Sequence, residues 1–246
     1  MIEYILLAVI QGITEFLPIS SSGHLALISN LISEPNLFFM VAMHVASFFA
    51  ILIYFRKNLY ILSNIKNKDN WNWYKIIIIG IIPAGLIGFF FSDLIDKALN
   101  NYFFIGTGFL FTTLLLLSTK LKNGKRTRIK FLDSLYIGIS QVFALFPGIS
   151  RSGTTTSVGI LRGIRAEEAG YFSFIMFIPL MIGAIILEIN KFYFDWMLFI
   201  SFIICFVVSL LSLRIFFKIL ENKKLWMFAV WTAVVSLISF SLGLFG

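Results

Sequence analysis

Charged side chains are scarce in this chain: they make up 13% of its 246 residues, against 59% hydrophobic ones, with a mean hydropathy of +0.93. That shortage excludes a soluble domain, whose surface at this length could not be covered by so few polar groups. Cysteine is nearly absent too. The lone Cys205 falls inside a predicted apolar span, which excludes an intramolecular disulfide and any cysteine-based metal site and leaves a small buried apolar residue. The N-terminus, Met1-Ile-Glu-Tyr4, has no basic stretch and no small-residue cleavage site, so it does not read as a removable signal peptide.

What is present is apolar length. Runs near 38–55, 76–92, 102–119, 168–189, 195–217 and 225–244 are each long enough to cross a hydrocarbon core, which takes about 20 helical residues. Six spans make an all-α polytopic membrane protein. The formal charge of +8 is a topology signal rather than a nucleic-acid footprint, because 17 of the 20 basic residues fall in four segments that lie on one side: 56–75, 120–130, Arg162 with Arg165, and 214–224. Lys97 and Lys191 lie opposite, with Glu34, Asp93, Asp96 and Asp195. The positive-inside rule makes the basic loops cytoplasmic and puts both termini outside. Trp71 and Trp73 read as an interfacial belt, with the many Phe residues as lipid-facing packing.

One stretch occurs twice. Gln11-Gly-Ile-Thr-Glu15-Phe-Leu-Pro-Ile-Ser-Ser21-Ser-Gly-His24 aligns without a gap to Gln141-Val-Phe-Ala-Leu145-Phe-Pro-Gly-Ile-Ser-Arg151-Ser-Gly-Thr154. Glu15 faces Leu145, Ser21 faces Arg151 and His24 faces Thr154, so one copy holds an acid, a hydroxyl and an imidazole, and the other a cation in a Gly/Ser/Thr nest. The division suggests one composite site for a phosphate ester.

The arms around each motif are too short to cross a bilayer, and Pro18 and Pro147-Gly148 break them, since proline cannot continue a helix interior. Each copy therefore reads as a re-entrant helix hairpin, 1–32 and 131–163, its turn packed in protein or facing a watery cavity. The first hairpin starts and ends outside, the second inside. A single membrane domain, 1–246, follows, built from inverted repeats of about 1–119 and 131–246. Such repeats bring their broken elements together near the midplane.

Gln11 and Glu15 share a helical face. A carboxylate or guanidinium at membrane depth costs a few kcal/mol and is a functional hypothesis by default; the bland alternative is that Glu15 and Arg151 pair structurally. Arg151 suits bidentate phosphate binding, and a helix beginning near Thr154 would add its N-terminal partial charge. Ser20, Ser21 and Ser22 could equally be turn or N-cap residues. His24 can transfer a proton near neutrality, whereas His44 reads as a helix–helix hydrogen bond.

These residues carry a resemblance. Gln11-x-x-x-Glu15, Pro18-Ile-Ser-Ser-Ser-Gly-His24 and Phe146-Pro-Gly-Ile-Ser-Arg-Ser-Gly-Thr-Thr155 resemble the signatures of the bacterial undecaprenyl-diphosphate phosphatases of the bacitracin-resistance type. The resemblance spans nearly the whole chain. It implies a multi-pass enzyme of the bacterial cytoplasmic membrane that hydrolyses undecaprenyl diphosphate to undecaprenyl phosphate and inorganic phosphate, recycling the carrier for peptidoglycan synthesis and protecting against bacitracin. It implies a catalytic set of Glu15, Ser21, His24 and Arg151, with Gln11, Ser20, Ser22, Ser150, Ser152 and Thr155 around the substrate. The family's first acidic position accepts Glu or Gln; here it is Gln11, so the acidic role falls on Glu15. Divalent metal, Mg²⁺ or Ca²⁺, is implied as cofactor, to be held by Glu15, with Gln11 and phosphate oxygens beside it. Ser21, activated by Glu15 or His24, and a water activated by Glu15 both stand as nucleophiles. The expected site opens outward, and the expected partners are the bilayer, the polyprenyl diphosphate and further copies of the chain in a homo-oligomer, with no nucleic acid. Transport is the rival class, since inverted repeats with midplane breaks also build carriers.

Overall fold

The computed structural model describes residues 2–29, 37–64, 66–122, 124–188 and 195–245. Glu34 and Lys191 lie outside them. Among the described residues all regular structure is helical, apart from one isolated parallel bridge between Arg126 and Ile164. In chain order the helices are α1 (Ile2–Thr14), α2 (Ser21–Ser29), α3 (Leu37–Tyr54), α4 (Arg56–Leu62), α5 (Lys68–Phe90), α6 (Ser92–Leu99), α7 (Tyr102–Ser118), α8 (Phe131–Phe143), α9 (Arg151–Leu161), α10 (Ala166–Glu188), α11 (Trp196–Glu221) and α12 (Phe228–Phe245).

Among the described residues, five stretches are long and apolar enough to cross a membrane: Asn70–Phe90, Tyr102–Leu121, Ala166–Ile186, Trp196–Glu221 and Leu225–Phe245. A sixth is counted if α3 and α4, bent by 73° at Phe55, are taken as one span. The chain is thus a multi-pass helical membrane protein with five or six candidate spans among the described residues. The segment 56–75, expected as a loop, instead holds α4 and the first turns of α5. Asn70 explains why: it is buried, and its amide donates to the carbonyls of Ile61 (2.8 Å) and Asn64 (2.9 Å), two groups that a helix end would leave bare. The Tyr74 hydroxyl donates to Leu62 O beside them.

Helices α1 and α8 have 13 residues each, about 20 Å at the helical rise, and cannot span alone. The packing pairs elements in a regular exchange. Helix α1 lies along α11 while α8 lies along α5; α3 packs on α11 while α10 packs on α5; and α7 pairs with α12. Close approach is bought with small residues, as usual between helices in lipid. A Cβ on Gly12 of α1 would sit 2.9 Å from Cys205 O of α11, and one on Gly138 of α8 would sit 2.5 Å from Gly80 O of α5. Hydroxyl pairs tie the spans across their interfaces, Thr113 with Thr232 at 2.7 Å and Ser47 with Ser209 at 3.0 Å. The largest apolar cluster gathers Phe16, Phe55, Phe172, Phe174 and Phe216 around α10, so the first chain break is anchored in the main core.

Asp133, 1% exposed at the start of α8, accepts from Arg126, from Arg162 Nε at 3.2 Å and from the Lys130 N–H at 2.9 Å. It joins the basic segment before α8 to the far end of α9, where Lys125 and Arg126 also donate their N–H groups to Gly163 O. Replacing Asp133 with Ala leaves two guanidinium groups without their acid. The expected cost is roughly 2–3 kcal/mol, below the range for a fully buried pair because the Arg162 side chain is 39% exposed. Thermal unfolding in detergent should register it as a midpoint lowered by several degrees; an unchanged midpoint would mean that the cluster holds nothing.

Candidate active site

Both breaks are made by the same local chemistry. Helix α1 ends where Pro18, which lacks an N–H, forbids continuation, and Phe16 turns inward, fully buried and edge-on to Phe174 at 5.5 Å. Ser20 then takes a left-handed conformation (φ +66°), costly for a side-chain-bearing residue. Its Oγ accepts the Gly23 N–H at 3.3 Å and caps α2. In the second copy the left-handed position falls on Gly148 (φ +84°), and Ser150 Oγ accepts the Gly153 N–H at 3.2 Å. The serine pairs repeat as well, Ser20 with Ser22 at 3.4 Å and Ser150 with Ser152 at 3.3 Å. Because Ser150 is the cap, α9 begins at Arg151, three residues before the Thr154 start expected from sequence.

The two breaks lie against each other. Ser152 Oγ donates to Leu17 O across the copies at 3.3 Å, and a Cβ on Gly23 would fall 2.8 Å from the Gly148 backbone. Only glycine allows that approach. Glu15 is the centre of the result: its Oε2 accepts from Ser21 Oγ at 2.6 Å and from Gln11 Nε2 at 3.0 Å, and its Oε1 faces Arg151 Nη2 at 3.3 Å. Three donors on one carboxylate suit its ionised form. Arg151 packs its guanidinium 3.6 Å from the Phe177 ring centroid. Its Nη1 is buried and has no hydrogen-bond partner.

Around this pair is a cavity of about 580 Å³ whose lining includes Glu15, Ser20, Ser21, Ser22, Ser150 and Arg151. The other expected site residues are arranged differently. Gln11 stands behind Glu15, wholly buried, and does not line the cavity. Ser152 is spent on Leu17, and Thr155 donates to Arg151 O at 2.7 Å and pairs with Ser173 at 2.6 Å, which makes it a helix-packing hydroxyl. His24 lies outside the cavity. Trp231 Nε1 donates to its Nε2 at 2.9 Å, so Nδ1 carries the proton and donates to Ser20 O at 2.8 Å. Both ring nitrogens are thus occupied, on the carbonyl of the strained Ser20 and on α12.

Three polar lining residues were not in the expected set: Thr14, whose hydroxyl donates to Ile10 O at 2.7 Å, His44 and Gln141. His44 bonds Met40 O within its own helix at 2.9 Å, rather than a neighbouring helix, and turns Nε2 toward Glu15 Oε2 at 3.8 Å. Gln141 also lines the cavity; the repeat alignment already matched it to Gln11. Among the described residues there is no group of three His, Cys, Asp or Glu side chains that could hold a metal ion.

Residues 4–238 match the family described as Bacitracin resistance protein BacA. Among curated proteins, the chain is 40% identical over 98% of its length to all of an undecaprenyl-diphosphatase from Thermosipho africanus. It is 38% identical over 95% of its length to one from Methanococcus maripaludis, covering 97% of that protein. A third relative of the same name, from Thermotoga maritima, shares 34% identity over 97% of this chain and 99% of its own. With a family match across nearly every element that builds the cavity, and relatives alike from end to end, the chain belongs to the bacitracin resistance protein BacA family.

Proposed function

We propose that the chain hydrolyses undecaprenyl diphosphate to undecaprenyl phosphate and inorganic phosphate. The observation that carries this reading is the 2.6 Å hydrogen bond from Ser21 Oγ to Glu15 Oε2 beside a guanidinium with an unused N–H. A hydroxyl on a carboxylate is a nucleophile with its base, the pairing that covalent catalysis needs. Ser21 Oγ attacks the terminal phosphorus as Glu15 takes its proton. The anhydride bond breaks, undecaprenyl phosphate leaves, and water hydrolyses the phosphoserine. Arg151 stays on Glu15 through Nη2 and gives Nη1 to the phosphate oxygens, stabilising charge as it develops. A carrier needs anion recognition but no such proton-transfer pair, so hydrolysis is favoured over transport. His24 positions Ser20 rather than exchanging protons. His44 is the imidazole that faces Glu15, its Nε2 3.8 Å from Oε2. The recovered monophosphate would re-enter peptidoglycan synthesis, and excess enzyme would protect against bacitracin.

Mg²⁺ or Ca²⁺ would be carried mainly on the diphosphate oxygens, with Glu15 as its one carboxylate ligand in the cavity, since Mg²⁺ keeps several waters and needs few protein groups. When bound, the ion neutralises phosphate charge.

In the same reading the two broken-helix pairs are re-entrant hairpins of an inverted repeat, 1–32 and 131–163. The exchange of α1 on α11 with α8 on α5, and of α3 on α11 with α10 on α5, is what a two-fold axis in the membrane plane would produce. Both α5 and α10 start at basic segments, so their cavity-lining residues, 84–89 and 177–184, lie from the middle of each helix onward, away from the cytoplasm. The site therefore opens outward. The prenyl chain leaves the cavity between these helices, past Ala84, Gly85, Gly88, Gly183 and Ala184. A Cβ on Gly85 or Gly183 would meet nothing within 4 Å, so the wall there is open.

Purified protein in detergent, with Mg²⁺ or Ca²⁺, should release phosphate from farnesyl or undecaprenyl diphosphate; no release under any of these conditions would sink the reading. Ser21→Ala should lose about a thousandfold or more in kcat, and Glu15→Gln about a hundred- to ten-thousandfold. A radiolabelled phosphoenzyme should form on the native protein and not on Ser21→Ala, and persistent turnover by that variant would exclude the serine. Gly183→Leu should fold normally and raise KM several-fold for undecaprenyl diphosphate while leaving a short-chain diphosphate nearly unaffected; equal effects on both would place the tail elsewhere.

A further inference from the structure

Gln141 is 2% exposed, lines the cavity, and has no hydrogen-bond partner on either its Nε2 or its Oε1. A buried amide in that condition is unusual, because each unsatisfied polar atom costs the desolvation it is not repaid for. The repeat accounts for its isolation. Its counterpart Gln11 donates Nε2 to Glu15, four residues on, at 3.0 Å. Four residues beyond Gln141 stands Leu145, which can accept nothing. The second copy has kept the amide and lost the acid, and Gln141 shares the cavity wall with Arg151, whose Nη1 is equally buried and unpartnered.

We propose that Gln141 is a ligand of the diphosphate group, its Nε2 donating to phosphate oxygens in the same cavity as Arg151 Nη1, and its Oε1 accepting from a water that hydrates the anion. A neutral donor fits this position. The cavity already holds the Glu15 carboxylate, and a second acid there would repel the substrate. The inference rests on the diphosphatase reading, but its chemistry asks only for a diphosphate anion, so pyrophosphate serves as a probe that needs no turnover.

The decisive variant is Gln141→Leu, close in volume and without polar atoms. If the amide served packing alone, removing two unsatisfied groups would leave activity unchanged. As a ligand, its loss should leave the thermal midpoint in detergent equal or higher while KM for farnesyl diphosphate rises about 10- to 100-fold. The protection that pyrophosphate gives against thermal unfolding should weaken in parallel. Gln141→Glu should be worse than Gln141→Leu in KM, because it sets a carboxylate beside the anion. Native KM and native pyrophosphate protection in Gln141→Leu would overturn the proposal. So would a lowered midpoint with reduced kcat at unchanged KM, the mark of a structural role. If the native protein released no phosphate, yet Gln141→Leu still lost pyrophosphate protection, the hydrolase reading would fail and the anion site would stand.

Discussion

A carboxylate and a guanidinium that could not be buried singly in a membrane-embedded helix bundle are buried together, and much of the structure follows from that pair. Glu15 comes from the end of α1 and Arg151 from the start of α9, 136 positions apart in the chain. Either buried alone in the helix bundle would carry a penalty of several kcal/mol. For the two to meet at 3.3 Å, both chain breaks must be apposed, which fixes Gly23 against Gly148 and spends Ser152 on Leu17. The contact is not closed on itself. One guanidinium nitrogen is left over, so the pair holds the breaks together and still keeps a donor for an anion.

The repeat supplies two copies of one backbone device and then uses them differently. Capping serines, serine–serine pairs and a left-handed residue recur in both breaks. Leu145 and Arg151 stand where Glu15 and Ser21 do, so the second copy contributes a cation and no base. The left-handed position has also moved, from Ser20 to Gly148. The glycine bears it without strain, whereas Ser20 is held by His24 on its carbonyl and Gly23 on its hydroxyl. That is a structural use for a histidine whose place in the motif suggested proton transfer.

Much of this was legible in the chain itself. Apolar runs gave the long helices, and the paired motifs gave the breaks and the meeting of Glu15 with Arg151, because composition and backbone chemistry act locally and leave their mark in order. The bend at Phe55 and the helix α4 were hidden, since basic residues mark a membrane boundary equally well in loop or helix; the clue was Asn70, a polar residue that reaches back to cap. The surroundings of the two histidines were hidden for a common reason. Spacing places His24 three residues from Ser21, but the α2 helix turns its ring onto Trp231, a partner 207 positions away that no local pattern announces. His44 has the opposite history: an imidazole in an apolar run reads as packing, and only the tertiary arrangement of α3 brings its Nε2 toward Glu15. Thr155 likewise faces Ser173 because α9 rotates that side toward α10.

The character of the cavity constrains what can occupy it. Glu15 and Arg151 offset each other, and most of the remaining wall is apolar: alanine, glycine, leucine and phenylalanine together with Ile149, Pro179 and Met181. In so apolar a surround, charge interactions are far stronger than in water, so a wholly apolar guest would gain nothing from the polar end and a small free anion would gain nothing from the walls. A molecule with a compact anion joined to a long hydrocarbon uses both. On the proposed reading the reaction's two products would also be separable, because the lipid phosphate would leave sideways between α5 and α10 while inorganic phosphate, with no tail, would leave toward water. A site for a water-soluble diphosphate would have no reason to keep glycines at a lateral opening, and a site for a neutral lipid would have no reason to bury an arginine.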